Sequence, residues 1–275
     1  MKLQMGKDFQ KKMNKGFDII ICTWNNFDYL KLLIRSIREN SSLPHTIIVH
    51  VNESNSSILS WLNKEKITYT HNSTNIGLCK GTNLAVKKAE KDWLCFFDDD
   101  MYALPGWDIN LVNYHKDNNL DTYVWLGSFM IEPGGTSLNS VISKNYGKNI
   151  NEFKESSLLS DYKSFSHNLK NISCNSTCPL LLNRELFLSL KGYDEDFDPG
   201  IGAELGLVKR FWDAGVRKYI AVKDSLVYHF GSRSTSRVRD GQEGVKRDKL
   251  FKHKYGITRE DFINKELKKG NKIQL

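Results

Sequence analysis

No uninterrupted apolar stretch in these 275 residues reaches the length of a membrane span. The leader, MKLQMGKDFQKKMNKGFD, also lacks the apolar centre of a signal peptide. Together these absences predict a cytoplasmic protein, with peripheral contact to a membrane surface as the alternative. Cysteine is scarce and odd in number, at Cys22, Cys79, Cys95, Cys174 and Cys178. That argues against a disulfide framework and fits a reducing compartment. Only Cys174 and Cys178 lie close in sequence, and no second ligand pair with zinc-site spacing accompanies them. The Asn-x-Ser/Thr matches at Asn40, Asn52, Asn55, Asn72, Asn171 and Asn175 read as chance in a chain rich in Asn and Ser. No G-x-G-x-x-G follows the first apolar run, which argues against a dinucleotide fold. No internal repeat and no linker composition divides the chain.

What is present is enough apolar residue, 40%, for one large core. The net charge is +8. Much of the excess falls late, in Arg233, Arg237, Arg239, Lys246, Arg247, Lys249, Lys252 and Lys254. A basic end suits an anionic ligand: a diphosphate, a nucleic acid or an acidic membrane surface. The plain alternative is a solvated surface.

Apolar runs alternate with helical patterns through the first hundred residues. FDIIICTWN, HTIIVHVN, ITYTHN and DWLCFF read as strands; YLKLLIRSIREN, ILSWLNKE and GLCKGTNLAVKKAEK read as helices. Leu30, Leu33, Ile34 and Ile37 share one helical face. Such alternation predicts an α/β fold with a parallel sheet, and continuous apolar strands predict cover on both faces. Further along, TYVWLGSFMI, CPLLLN and KYIAVKDSLVYHF read as strands. RELFLSLKG and AELGLVKRFWDAG read as helices, the latter burying Leu205, Val208 and Trp212. Residues 132–165 are polar and rich in Gly, Ser and Asn, which predicts a mobile loop or lid.

The run WLCFF ends in Asp98, Asp99 and Asp100. Ligands of open α/β sheets bind outside the carboxyl ends of strands. Adjacent carboxylates are tolerable there if a divalent cation such as Mg²⁺ or Mn²⁺ neutralises them. An acidic turn that caps the next segment is the competing reading.

The stretch TNIGLCKGTNLAVKKAEKDWLCFFDDDMYALPGWD resembles the inverting family 2 glycosyltransferases. Asn75-Ile76-Gly77 and Asn83 match the elements that precede that family's D-x-D, supplied here by Asp98 and Asp100. IIICTWNN resembles its first strand and turn. LLLNRELFLSLKGYDEDF, AELGLVKRFWDAG and VYHFGSRSTSR resemble its later elements, so the likeness runs from about residue 17 to 237. The resemblance implies a GT-A-type, Rossmann-like nucleotide-sugar-binding fold, with a mostly parallel central sheet flanked by helices. It implies a leader over 1–16, a glycosyltransferase domain over 17–240 and a basic helical extension over 241–275.

The resemblance also implies roles. Asp100 and His229 would hold Mn²⁺ or Mg²⁺. Asp98 would contact the ribose or a metal-bound water, with Asp99 beside it in the nucleotide-sugar site. Thr23, Asn25, Asn75 and Lys80 would line the nucleotide, and Arg233, with Arg237 second, would grip the diphosphate. The second strand of the family often ends in a base-contacting Asp; Val51 stands there, with Asn52 next to it as the substitute. In the late helix Ala203 and Gly206 replace acidic residues, and Glu204 remains as the catalytic base. Its place in a first helical turn predicts an ionised carboxylate. Trp107 and Trp125 offer flat faces for a sugar, and Asp194 a ligand for hydroxyls. The expected donor is a nucleotide-sugar, a UDP-sugar first, and the expected acceptor a saccharide. A hydroxylated DNA base is an alternative acceptor, given the basic tail. A noncatalytic sugar-binding module is the reading that Val51, Ala203 and Gly206 favour. A nucleotidyltransferase would need a glycine-rich basic loop after the first strand, and ICTWNNFDYL offers none.

Overall fold

The structure, a computed structural model, describes residues 13–134, 138–175, 177–231 and 243–267. The chain opens with Asp18–Thr23 (β1), almost wholly buried, as an unbroken apolar run requires. Phe27–Asn40 (α1) follows and sinks Leu30, Leu33, Ile34 and Ile37 into the core. Thr46–Val51 (β2) leads to Ser56–Lys64 (α2). Asn55 starts that helix by accepting the backbone N–H groups of Ser57 and Ile58, the usual reason for Asn at this position. Thr68–His71 (β3), Leu78–Val86 (α3) and Trp93–Asp98 (β4) complete the regular half.

The second half is less even. Met101–Ala103 (β5) and Trp107–Asp117 (α4) precede Val124–Glu132 (β6) and Val141–Ser143 (β7). Then come Glu155–Phe165 (α5), Ile172–Ser173 (β8), Leu180–Asn183 (β9) and Arg184–Ser189 (α6). Ala203–Asp213 (α7), Lys218–His229 (β10), Glu243–Tyr255 (α8) and Arg259–Asp261 (α9) follow, with a π-helical turn at Phe262–Leu267.

One sheet collects the strands in the order β3-β2-β1-β4-β9-β6-β10-β5, with β7 on β6 and β8 on β10. β1 pairs in parallel with β2 and β4, as does β6 with β10. β9 runs antiparallel between β4 and β6. The carboxyl ends of β1, β2, β4, β6 and β10 therefore share one edge. Apolar clusters pack both faces, which is why these strands are hydrophobic throughout rather than alternating.

One segment departs from the sequence reading, and one helix was not read at all. The polar segment 132–165 is not a structureless lid: within its described part lie β7, a short helical turn at Ile150–Glu152, and α5. Leu158 anchors α5 in the core, and Arg35 binds Glu155 through two contacts of 2.9 and 2.7 Å. α4 carries no clean apolar stripe because Asp108 and His115 lie on its buried side. Asp108 accepts the backbone N–H groups of Ser42 and Leu43, each at 2.8 Å, and His45 Nε2 at 3.0 Å. That tether uses the charge that hides the helix from periodicity.

The C-terminal segment joins the main core. Phe251, Phe262 and Leu267 are buried in the cluster that holds Leu205, Val208, Phe211 and Trp212 of α7. Among the described residues, no helix is long and apolar enough to cross a membrane.

Candidate active site

The shared carboxyl edge carries the acidic knot. Asp98 ends β4, and the turn through Asp99 and Asp100 delivers the chain to β5, which pairs antiparallel with β10 at Met101↔His229. The three side chains part company. Asp98 is solvent-exposed, although enough protein surrounds it for burial to raise its pKa, with His229 opposing and Asp100 adding to the rise. Asp99 turns inward and is 4% exposed. It accepts the Thr23 hydroxyl at 2.6 Å and Asn26 Nδ2 at 3.0 Å. Burial and the neighbouring Asp100 charge push its pKa up to about 7 against those two donors.

Asp100 is buried, and its Oδ1 lies 3.3 Å from His229 Nε2. His229 Nδ1 lies 2.7 Å from Glu132 Oε1. Burial alone would lower the imidazole's pKa, but the hydrogen bonds to Asp100 and Glu132, with the Asp98 charge, hold it well above the usual value. Glu132 was not among the sequence candidates. Its signal was there: like Asp98, it closes an apolar strand at the carboxyl edge.

Glu204 stands in the first turn of α7 and is partly buried. The backbone N–H of Thr177 donates to it, yet burial and the charge of Asp98 push its pKa up to about 8. This corrects the expectation of an ionised carboxylate. One helix terminus contributes about 0.3–1 kcal/mol, less than the desolvation of a carboxyl surrounded by protein.

Among the described residues, no group of three or more His, Cys, Asp and Glu forms a metal cage. Asp100 and His229 nonetheless fit two adjacent positions of an octahedral ion, whose ligands at about 2.1 Å stand roughly 3 Å apart. Mg²⁺ commonly takes one or two protein ligands and completes its shell with water and phosphate oxygens. The Cys174–Cys178 pair has no such setting: all five cysteines are free, and Cys178 Sγ points at the Phe96 carbonyl, 3.5 Å away.

With this geometry in view, the sequence profile of glycosyl transferase family 2 matches residues 18–187. The chain belongs to glycosyl transferase family 2. It is a glycosyltransferase of GT-A fold. The crystal structure of S. aureus TarS 1-349 is similar, with a TM-score of 0.57 and 15% identity over 91% of this chain and 75% of that one. A crystal structure of S. aureus TarS gives 0.56 and 16% over 91% of this chain and 45% of that one. No curated protein sequence is detectably similar to this one.

Within this family 2 chain, several sequence candidates are buried or already engaged with other groups. Trp125 and Trp107 are both fully buried and cannot serve as sugar platforms. Trp125 packs on Phe211 and Tyr219, Trp107 on Phe17 and Phe97. Asp194 is held by Lys254 of α8 at 2.8 Å and caps its own turn through the Asp196 N–H, so its oxygens are engaged. Thr23 and Asp99 are both buried and bind each other at the carboxyl edge. The turn after β1 adds a residue that the sequence did not single out. Asn26, not Asn25, reaches the acidic knot, while Asn25 is exposed in a left-handed conformation and contacts Glu53 at 3.4 Å.

Asn52 is buried and committed to the loop above it. Its Nδ2 donates to the Gly77 carbonyl at 3.0 Å, and its Oδ1 accepts the Ile76 N–H at 3.1 Å. Asn75 closes the same loop by accepting the Gly77 N–H at 2.9 Å. Gly77 is required here: φ is +94°, and a Cβ would strike Asp198. Asp198 accepts the backbone N–H groups of Cys79 and Lys80 at 2.7 and 3.2 Å, while the Lys80 side chain is exposed. Replacing Asn52 by Ala should destabilise the protein by about 1–3 kcal/mol, because the Ile76 N–H loses its acceptor and the Gly77 carbonyl keeps only the Gly81 N–H. Urea unfolding checks this; an unchanged midpoint would mean that the loop is held without Asn52. Arg233 and Arg237 lie outside the described residues.

Proposed function

We propose that this glycosyltransferase moves a sugar from a nucleoside-diphosphate sugar to a saccharide hydroxyl with inversion, assisted by Mn²⁺ or Mg²⁺. The supporting observation is that acidic and imidazole side chains from three elements lie close enough to feel one another's charge. Asp98 from β4 feels the charges of His229 and Asp100, and Glu204 of α7 feels that of Asp98.

Glu204 takes the proton of the acceptor hydroxyl. That oxygen forms a bond to the anomeric carbon as the bond to the diphosphate oxygen breaks, and the electron pair departs with the diphosphate. A single displacement inverts the carbon. Asp100 and His229 would hold the cation, which acts as a Lewis acid toward the charge growing on the leaving oxygen. Asp98, open to solvent, is free to meet the donor. A UDP-sugar is the first donor to test.

Thermal-shift measurements with UDP-, GDP-, ADP- and CDP-sugars, each with Mn²⁺ and with EDTA, examine this reading. One donor should raise the melting temperature, and more so with Mn²⁺. Equal shifts in EDTA would remove the metal dependence; no shift with any donor would remove the donor class.

The pH profile follows from Glu204. Only its ionised form accepts a proton, so kcat/KM should rise about tenfold per pH unit and then level off. The midpoint should lie no higher than about 8, since cancelling the Asp98 charge removes one cause of the elevation. A flat profile between pH 5 and pH 9 would exclude Glu204 as the base, given a folded-state pKa raised by burial.

A further inference from the structure

We infer that Glu132 is a positioning residue that orients His229 toward the cation; this rests on the cation site proposed above. β6 and β10 run side by side in parallel, with Ile131 opposite Tyr228, so Glu132 and His229 are the next residues along neighbouring strands. The backbone of Glu132 is fixed from its other side, by pairing with Ser143 of β7 and by the Lys144 N–H on its carbonyl at 2.9 Å. Its carboxylate therefore reaches Nδ1 from a rigid base, at 2.7 Å.

The pair is shielded as well as close. The side chains of His229 and Glu132 are 12% and 21% exposed, so water competes weakly for the contact. The two imidazole nitrogens point to opposite edges of the ring. With Nδ1–H donated to Glu132, only Nε2 can present a lone pair, and Nε2 is the atom that faces Asp100. Glu132 thus selects the tautomer and stops the ring from turning, the service a carboxylate renders to many metal-binding histidines. Glu132 cannot share an ion with Asp100 in this arrangement, because the ring stands between them.

The test is a Mn²⁺ titration of the full chain followed by electron paramagnetic resonance, with inorganic pyrophosphate present. Wild type, Glu132→Gln and His229→Ala are compared, and metal-free thermal unfolding is recorded for each. The Gln variant keeps the size and an acceptor oxygen but removes the charge. Its Mn²⁺ affinity should fall about 10–100-fold, while its metal-free unfolding midpoint stays near that of wild type. Where the midpoint does fall, Glu132→Asp, which retains the charge, must bind Mn²⁺ more tightly than the Gln variant; equal binding would overturn the role. A Gln variant that binds like wild type while His229→Ala loses the ion refutes the role of Glu132 and leaves the cation site standing. A wild-type protein with no saturable Mn²⁺ site refutes both.

Discussion

Glu204→Gln should lower kcat by about 10²–10⁴-fold, the usual contribution of a general base, while the donor still binds. The substitution keeps the shape and removes the basic carboxylate at that position. Donor affinity rests on other groups, so calorimetric titration should find it within a few-fold of wild type. Transfer at the normal rate would place the base elsewhere.

The same variant makes a second, independent claim about stability. The folded-state pKa of Glu204 is raised to about 8, by burial first and by Asp98 second. A carboxyl raised in this way is fully tolerated below its unfolded pKa. As pH climbs from there through the folded value, ionisation of the surrounded carboxyl draws stability away. Gln cannot ionise, so the metal-free variant should gain on wild type as pH rises from 5 to 8. The gain should amount to a few kcal/mol at most, given about 1.4 kcal/mol per pKa unit and some exposure to solvent. Parallel unfolding curves at both pH values would show that Glu204 is not strained by its surroundings.

Trp125→Ala should cost about 3–5 kcal/mol of folding stability, as expected for an aromatic side chain deleted from a packed core. Trp125 is fully buried, with ring centroids of Phe211 and Tyr219 each 5.6 Å away. Trp125→Phe should cost less, because it retains most of the ring and removes an indole N–H that has no acceptor among the described residues. The Phe variant should also keep its KM for donor and acceptor. A Trp125→Ala protein of normal stability that had lost saccharide affinity would instead make Trp125 a surface platform.

The same tryptophan illustrates what a sequence conceals. Trp in an apolar strand satisfies both a core and a sugar-stacking pattern, and only its neighbours separate them. Asp194 is a parallel case. A turn-forming Asp and a hydroxyl ligand look alike until Lys254, 60 residues away, closes on it. The acidic knot was legible as a strand end, but its division of labour was not. Asp99 turns into the protein because Thr23 and Asn26, 76 and 73 residues earlier, meet it there. Residues 132–165 read as a loop because polar residues dominate them: Leu158 is the one fully buried side chain of α5, while Leu159, Tyr162 and Phe165 pack only in part against the same cluster.

The residues alone determined the alternation of strands and helices, the two-sided burial of the sheet, and the clustering of carboxylates at one strand end. Those features are local or periodic, and burial on both faces forces an unbroken apolar run. Tertiary structure decided which carboxylate faces solvent, which is buried, and which partner directs His229. Glu132 and His229 are 97 residues apart, and they touch because sheet order sets β6 beside β10. Contacts of that range depend on how strands are arranged, which the spacing of residues along a chain does not specify.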